Sequence, residues 1–344
     1  MSPSGTGGSV TGHRIITGHR IVTGHRIVTL CMNPALDITT STEVVRPTDK
    51  LRCAAARYDP GGGGINVANV AGVLGASTAA VFPAGGPAGE MVNNLLVAEG
   101  LVAHRIPIGG STRESITVNE LSTNRQYRFV LPGPELTLAE QTDCLLQLRR
   151  AASHASIVVA SGSLPPGVPE DFYQQVANVC TEIGAMFLLD TSGAGLRHVN
   201  AGVFLLKPSL RELRECFGRG LTTEAQQTAA AGELIDRGAA ECVVVSLGAR
   251  GALLVTADRA HRFAPVRVPP GSGVGAGDAM VAGVAVGLTR GWALTEAVRL
   301  GIAAGAAMLL TPGTAPCTRE DTERLFALAA PASDIDPEAG AGAE

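Results

Sequence analysis

Short apolar runs alternate with longer amphipathic stretches along most of this chain. Runs of about four to eight apolar residues are typical of strands that are buried on both faces. They predict strands at residues 28–32, 78–83, 156–160, 186–190, 203–206 and 242–247. Amphipathic spacing predicts helices at residues 67–74, 90–99, 138–151, 170–183, 224–237, 279–290 and 294–310. The alternation predicts an α/β fold, with a mostly parallel central sheet and helices on both faces.

Two segments, residues 44–59 and 115–130, break this alternation. In the second, apolar and polar residues alternate on both sides of Ser-Thr-Asn at 122–124, which is typical of a β-hairpin. We expect antiparallel strands that form a small β-sheet lid, from segments near 42–59 and 112–131. The pattern alone leaves open whether this sheet covers a site or is an ordinary edge hairpin.

The two ends of the chain have no core pattern. Residues 11–28 repeat the unit T-G-H-R-I-I/V three times, with His13, His19 and His25 in register. The repeat has two interpretations, a metal-binding tract and a duplicated stretch of coding sequence. Residues 331–344 are rich in Ala, Gly and acids, without apolar periodicity. We expect disorder at residues 1–25 and 331–344 and a single domain over residues 26–330.

Composition and charge exclude several classes of protein. The chain has 344 residues, 45% of them hydrophobic, and its 27 Lys+Arg are outnumbered by 31 Asp+Glu. Without a basic stripe, nucleic-acid binding is not expected. Apolar stretches such as residues 301–310 are about half a membrane span, so no membrane partner is expected. The seven cysteines are far apart and form no C-x-x-C pair, which predicts buried free thiols and a cytoplasmic location.

The glycine-rich segment 271–278, GSGVGAGD, precedes an apolar helical run. Glycines at a helix start leave backbone N–H groups open to a phosphoryl oxygen, and Asp278 falls in the first helical turn. The segment also matches a dinucleotide fingerprint, with Glu296 as its acid. However, it follows Pro269-Pro270 rather than a strand, and Glu296 falls inside a predicted helix. We therefore interpret the segment as a phosphate site and not as part of a dehydrogenase.

A second glycine cluster, PGGGGIN at residues 60–66, also precedes a helix. Four glycines place bare backbone against a ligand, and the amide of Asn66 can both donate and accept hydrogen bonds. This combination suits the hydroxyl groups of a sugar. The G-x-x-x-x-G-K-[ST] pattern of Walker-type NTPases is absent from the sequence.

Together these motifs resemble the ribokinase-like PfkB family of sugar kinases, and within it the minor bacterial 6-phosphofructokinase type. The resemblance runs from about residue 28 to residue 329, through NPALD, KLR, PGGGGINVA, FPAGG, QYRFV, SGSLPPG, VVVSLG and VGAGDAMV in that order. It implies a ribokinase-like core and a β-lid shared in a homodimer. It also implies transfer of the γ-phosphoryl group of ATP to a sugar-phosphate hydroxyl, with Mg²⁺.

The resemblance also implies roles for individual residues. Asp278 would accept the proton of the attacking hydroxyl, while the backbone of Gly275, Ala276 and Gly277 would stabilise the transferred charge. The implied sugar-phosphate residues are Asp37, Lys50, Arg52, Gly61, Gly62, Asn66, Arg113 and Ser163. The implied ATP residues are Lys207, Ser209, Ser246, Gly248, Gly251 and Gly273, and Glu212 would hold magnesium through water.

Two positions depart from the family pattern. Ser209 stands where the family has Asn, and Gly273 stands where relatives usually carry Thr. These departures motivate an alternative hypothesis, a catalytically reduced relative that only binds sugar phosphate or nucleotide. Gly63 bears on the substrate, because relatives that act on fructose 1-phosphate or tagatose 6-phosphate tend to carry Lys there. We therefore expect fructose 6-phosphate as substrate and fructose 1,6-bisphosphate as product, with tagatose-6-phosphate kinase and 1-phosphofructokinase as alternatives.

Overall fold

The structure, a computed structural model, describes residues 27–269, 271–311 and 315–335. The predictions for residues 1–25, with their histidine repeats, and for residues 336–344 lie outside this part of the chain. The strands are β1 (Ile27–Leu30), β2 (Ala35–Thr42), β3 (Arg57–Gly61), β4 (Thr78–Ala84), β5 (Val102–Pro107), β6 (Arg113–Glu120), β7 (Arg125–Val130), β8 (Ile157–Ser161), β9 (Met186–Asp190), β10 (Leu205–Leu206), β11 (Cys242–Ser246), β12 (Ala252–Thr256), β13 (Ala260–Phe263) and β14 (Ser333–Asp334). The helices are α1 (Gly63–Val73), α2 (Gly86–Ala98), α3 (Leu138–Ala151), α4 (Phe172–Ile183), α5 (Ala194–Arg197), α6 (Leu210–Phe217), α7 (Glu224–Asp236), α8 (Ala276–Thr289), α9 (Leu294–Met308) and α10 (Arg319–Leu328).

The central sheet has ten strands in the order β14-β13-β12-β11-β10-β9-β8-β1-β4-β5. The strands from β11 to β5 in this order pair in parallel, and β12, β13 and β14 extend the sheet in antiparallel fashion. This confirms the predicted mostly parallel sheet. The chain runs outward from β1 through β4 to β5 and then returns to the other side of β1 at β8. The order therefore reverses between β1 and β8, and ligands of such sheets bind at the carboxyl edge beside this point.

Successive side chains of the parallel strands face opposite sides of the sheet and pack into buried clusters on both faces. On β8, Val158 and Ala160 pack with α3, α4, α6 and α7. Ile157 and Val159 pack on the other side with α1, α8, α9 and α10. All four of these side chains are at most 2% exposed, which explains why the strands are continuous apolar runs rather than alternating ones.

Most predicted elements are confirmed, with differences at their ends. The glycines at 63, 64, 275 and 277 carry no apolar signal, so α1 and α8 begin earlier than their patterns predict. The helices α6 and α10 were missed because polar and charged residues dominate them. The prediction of disorder is wrong for residues 333–334, which form β14 and pair with β13.

The small sheet has four strands in the order β3-β2-β6-β7 and lies apart from the central sheet. The predicted hairpin is confirmed as β6 and β7, which pair in antiparallel fashion. The prediction of strands over residues 44–59 is wrong for 44–56, which contain no strand. Pro47 lacks an N–H for a ladder, and Thr48 has a φ of 67°, which ends extended backbone. The partner of β3 is instead β2, which begins inside the NPALD motif.

Other predictions concern cysteines, the dinucleotide fingerprint and membrane spans. All seven cysteines are free and five are buried, but Cys216 is half-buried, and Cys53 is exposed because it lies in the loop 43–56. No strand precedes the glycine-rich loop within residues 264–269, and Glu296 lies in the first turn of α9. The fingerprint therefore lacks its structural context. Within the described ranges, no helix is long and apolar enough to cross a bilayer.

Candidate active site

The glycine-rich loop ends at the first turn of α8, at the carboxyl edge of the central sheet. Gly275 caps the helix with a φ of 76°, a left-handed conformation that favours glycine. The first N–H groups of a helix have no intrahelical partner, and they point toward any anion at its start. Nine consecutive residues of α8, 279–287, are buried. The body of α8 is therefore packed in the core, and its start, residues 276–278, is partly exposed.

The carboxylate of Asp278 is hydrogen-bonded on both oxygens by residues that are distant in sequence. Ser161, at the end of β8, donates its hydroxyl to Oδ1 at 2.8 Å. Asn66, in the first turn of α1, donates its amide to Oδ2 at 2.9 Å. Burial raises the pKa of Asp278, whereas these two hydrogen bonds and the charge of Lys207 lower it. The result is an oriented carboxylate at a helix start, with a pKa above the ordinary aspartate value.

A buried ion pair lies beside the helix start. Lys207, which follows β10 and is 3% exposed, places Nζ 3.1 Å from Oδ1 of Asp190 at the end of β9. A Cβ on Gly277 would lie 3.6 Å from Nζ of Lys207, so the ammonium faces the glycine-rich turn. Burial raises the pKa of Asp190 to about 6, although Lys207 opposes the shift. The sequence analysis did not identify Asp190 as a site residue. The feature that indicates it is an acidic residue at the end of the apolar strand MFLLD.

Ser209 and Glu212 form a capping box at the start of α6. The N–H of Ser209 donates to Oε2 of Glu212 at 2.7 Å, and the hydroxyl of Ser209 accepts the N–H of Glu212 at 3.2 Å. The backbone of Ser209 also bridges to Ser246. The charge of Glu212 acts on both Asp190 and Lys207. Both residues therefore lie near the site, and each also stabilises the helix that carries it.

A cavity of about 330 Å³ lies beside the start of α8. Four of the predicted ATP residues line it: Ser246, Gly248, Gly251 and Gly273. Gly277 also lines it, while the remaining walls are mostly apolar side chains from the segment 265–268 and from α8 and α9. A Cβ on Gly273 would meet nothing within 4 Å, so a larger residue has room there. Lys207 and Ser209 lie outside the lining of this cavity.

Of the predicted sugar residues, Asn66 contacts Asp278, and others lie close to one another. Gly61 packs against Asp37, since a Cβ on Gly61 would lie 2.4 Å from Oδ2 of that residue. Gly62, with a φ of 112°, leaves room for the sulfur of Cys31. Burial raises the pKa of Asp37 to about 6, against the charges of Arg113 and Arg128.

Arg113 and Ser163 are brought together by Asn33, a residue of the NPALD motif. Nη2 of Arg113 donates to the carbonyl oxygen of Asn33 at 3.1 Å, and the amide of Asn33 donates to Oγ of Ser163 at 3.2 Å. A guanidinium and a hydroxyl that contact the same residue are groups that can bind a phosphate.

Lys50 and Arg52 are not part of this cluster. Both are exposed in the loop 43–56 of the small sheet. Within the described part of the chain, neither side chain makes a hydrogen bond or an ion pair. Their predicted contact with substrate stays a prediction.

The doubly wound sheet, the separate small sheet and the glycine-rich helix start define the ribokinase-like α/β fold class. The chain belongs to the pfkB family of carbohydrate kinases, whose pattern matches residues 30–321. ATP-dependent 6-phosphofructokinase isozyme 2 of Mycobacterium tuberculosis is 63% identical over 306 residues, which are 89% of this chain and 90% of that protein. Phosphofructokinase-2 from Escherichia coli in complex with potassium is 39% identical with a TM-score of 0.84, over 88% of this chain and 99% of that one. The structure of the same enzyme in complex with fructose-6-phosphate is 38% identical with a TM-score of 0.82, over 88% of this chain and 99% of that one.

Proposed function

We propose that this chain is an ATP-dependent 6-phosphofructokinase, which phosphorylates the C1 hydroxyl of fructose 6-phosphate to give fructose 1,6-bisphosphate. The observation that carries the proposal is the position of Asp278. This carboxylate lies in the first turn of α8, where Gly277 lines the cavity of about 330 Å³, and it accepts a hydrogen bond from the predicted sugar residue Asn66. The names of the M. tuberculosis and E. coli relatives support the same activity.

In this mechanism Asp278 is the general base. As the C1 oxygen of the sugar attacks the γ-phosphorus of ATP, Oδ1 or Oδ2 accepts the hydroxyl proton, and the bond from the γ-phosphorus to the ADP oxygen breaks. The backbone N–H groups of Gly275, Ala276 and Gly277 lie at the helix start, where they stabilise charge on the transferring group. The ammonium of Lys207 adds positive charge beside Gly277.

The residues near the helix start suit magnesium. Oε2 of Glu212 accepts the N–H of Ser209, and Oε1 has no hydrogen-bond partner among the described residues. Mg²⁺ keeps several waters and needs few protein ligands, so Glu212 and Asp190 would hold it mainly through water. When bound, the ion neutralises charge on the nucleotide phosphates. Ser209, with its shorter side chain, would keep its capping role beside this water shell.

For the sugar, Asp37 and Asn66 would bind hydroxyl groups, with the backbone of Gly61 and Gly62 in close approach. Arg113 and Ser163 would bind the existing 6-phosphate. Because fructose 1-phosphate carries its phosphate on C1, it has no free hydroxyl at the position of attack. Tagatose 6-phosphate differs in the orientation of one ring hydroxyl, which would lose its hydrogen bond.

The substrate prediction is tested by coupled ADP release with MgATP and each of three sugar phosphates. We expect kcat/KM to be highest for fructose 6-phosphate, by about tenfold or more over tagatose 6-phosphate, because a buried hydrogen bond is lost with the latter. If kcat/KM is higher for fructose 1-phosphate or tagatose 6-phosphate than for fructose 6-phosphate, the assigned substrate is wrong. If ligands raise Tm but no sugar phosphate is turned over, the chain is a binding module instead.

We also propose a homodimer formed through the small sheet. Its edge strand β7 and the adjoining loops expose large apolar side chains: Leu121, Phe129, Val130 and Leu131. Such a hydrophobic edge favours a protein partner. A second copy would also supply Lys50 and Arg52, which are exposed and make no side-chain hydrogen bond or ion pair with the described residues.

Phe129→Glu tests the dimer, because a charge would be buried at the pairing edge. We expect a monomer by light scattering and a KM for fructose 6-phosphate about tenfold higher or more, since attraction of the anionic substrate is lost. Leu138→Glu is the matched control, because Leu138 is 77% exposed on α3, outside the small sheet. A wild-type protein that is monomeric with substrate present would contradict the proposal.

The cytoplasmic location and the domain limits at residues 26 and 330 stay predictions.

A further inference from the structure

The hydroxyl of Ser161 is a buried group that the mechanism above does not use. Ser161 is the last residue of β8 and is 1% exposed. Its backbone is held in the sheet by pairing with Asp190 of β9. Its hydroxyl donates to Oδ1 of Asp278 at 2.8 Å. A side chain this buried has little access to the sugar, so its contribution passes through Asp278.

The surroundings leave the Ser161 hydroxyl little freedom to move. A Cβ on Gly63 would lie 2.4 Å from Oγ of Ser161, so the bare start of α1 forms one wall of its site. On the other oxygen of Asp278, the amide of Asn66 donates at 2.9 Å. With one donor on each oxygen, rotation of the carboxylate breaks a hydrogen bond in a site that is largely shielded from water.

We propose that Ser161 is a positioning residue, which holds the carboxylate of Asp278 in the orientation required to accept the proton of the sugar hydroxyl. This role rests on the proposed kinase function. It assigns a task to the first serine of the SGSLPPG motif that differs from phosphate binding by Ser163. It also gives a reason for glycine at position 63, where any side chain would contact the Ser161 hydroxyl.

The charged groups that face Asp278 bear on its titration. Lys207, which follows β10, lowers the pKa of Asp278. Asp190, at the end of β9, is a second carboxylate that interacts electrostatically with Asp278. The hydrogen bond from Ser161 favours the ionised form of Asp278, so its loss raises the pKa of that carboxyl. The base then needs a higher pH to ionise.

Ser161→Ala tests the proposal in the full-length enzyme. We expect kcat to fall about 10- to 100-fold with KM for both substrates little changed, since a hydrogen bond to a charged group is lost. The acid limb of the pH profile of kcat/KM should move to higher pH. In the Asp278→Asn background, Ser161→Ala should have almost no further effect on kcat, because the group that it positions is no longer a base.

Thr29→Val is the matched control. Thr29 lies on β1 beside β8, is 0% exposed, and its hydroxyl has no hydrogen-bond partner among the residues that the structure describes. This variant removes a buried hydroxyl from the neighbouring strand and should keep wild-type kcat and pH profile. If Ser161→Ala behaves in the same way, or if its effect on kcat is undiminished in the Asp278→Asn background, the positioning role is wrong.

A readout without turnover separates this inference from the proposed function. Carboxyl ¹³C NMR of the ligand-free protein should give a higher pKa for Asp278 in Ser161→Ala than in the wild type. An unchanged pKa would overturn the hydrogen bond on which the positioning role depends. By contrast, a raised pKa in a protein that phosphorylates no sugar would overturn the kinase function while supporting the hydrogen bond.

Discussion

Replacing Asp278 with asparagine is expected to lower kcat about 10²- to 10⁴-fold, because the amide cannot accept the proton of the attacking hydroxyl. Asparagine has nearly the same shape, and its oxygen can still accept a hydrogen bond. ATP and sugar phosphate should therefore bind with little change in affinity. Coupled ADP release gives kcat, and calorimetric titration with each substrate gives the affinities.

Asp143→Asn is the matched control, since Asp143 is exposed on α3, outside the cluster around Asp278. It should keep wild-type activity. In the wild type, kcat/KM should rise with pH through a pKa above 3.8, the ordinary aspartate value, because burial disfavours the ionised form of Asp278. An Asp278→Asn protein that retains a tenth or more of wild-type kcat would show that another group takes the proton.

Replacing Lys207 with methionine is expected to lower the free energy of unfolding by about 3 kcal/mol or more at pH 8. The change removes the cation from a buried pair and leaves the carboxylate of Asp190 uncompensated, with Asp278 and Glu212 nearby. Urea denaturation followed by circular dichroism measures the loss. The effect concerns stability and is separate from any contribution of Lys207 to phosphoryl transfer.

The loss in Lys207→Met should be smaller at pH 5 than at pH 8. Asp190 already has a folded-state pKa of about 6, raised by burial from 3.8, and removal of Lys207 raises it further. A carboxyl with a higher pKa in the folded protein binds more protons there than in the unfolded chain. Lowering the pH through that pKa therefore favours the folded state.

The double variant Asp190→Asn/Lys207→Met is the control for this prediction. With both charges removed, most of the lost stability should return, because no uncompensated ion stays buried. If Lys207→Met is as stable as the wild type at pH 8, Lys207 and Asp190 do not form a buried ion pair in solution. If the double variant is no more stable than Lys207→Met, the loss comes from packing of the lysine side chain.

The central sheet was predictable because its parallel strands are buried on both faces. Residues such as 186–190 form an apolar run whose limits the structure reproduces as β9. The small sheet was harder, because its strands are only partly buried and form no continuous apolar run. The segment 44–56 has strand-forming residues such as Val44 and Val45, but Pro47 and the left-handed Thr48 break the ladder. Local alternation identified the β6–β7 hairpin and missed β2, whose partners lie elsewhere in the sequence.

The sequence by itself determined the alternation of strands and helices, the glycine-rich start of α8 and the acid at position 278. These features depend on local periodicity and on conformations that favour glycine. Only the tertiary structure decided which groups meet at that acid. Asn66 and Ser161 are 212 and 117 residues from Asp278 in the chain. They meet it because the strand order places the end of β8 beside the starts of α1 and α8, and local pattern carries no information about strand order.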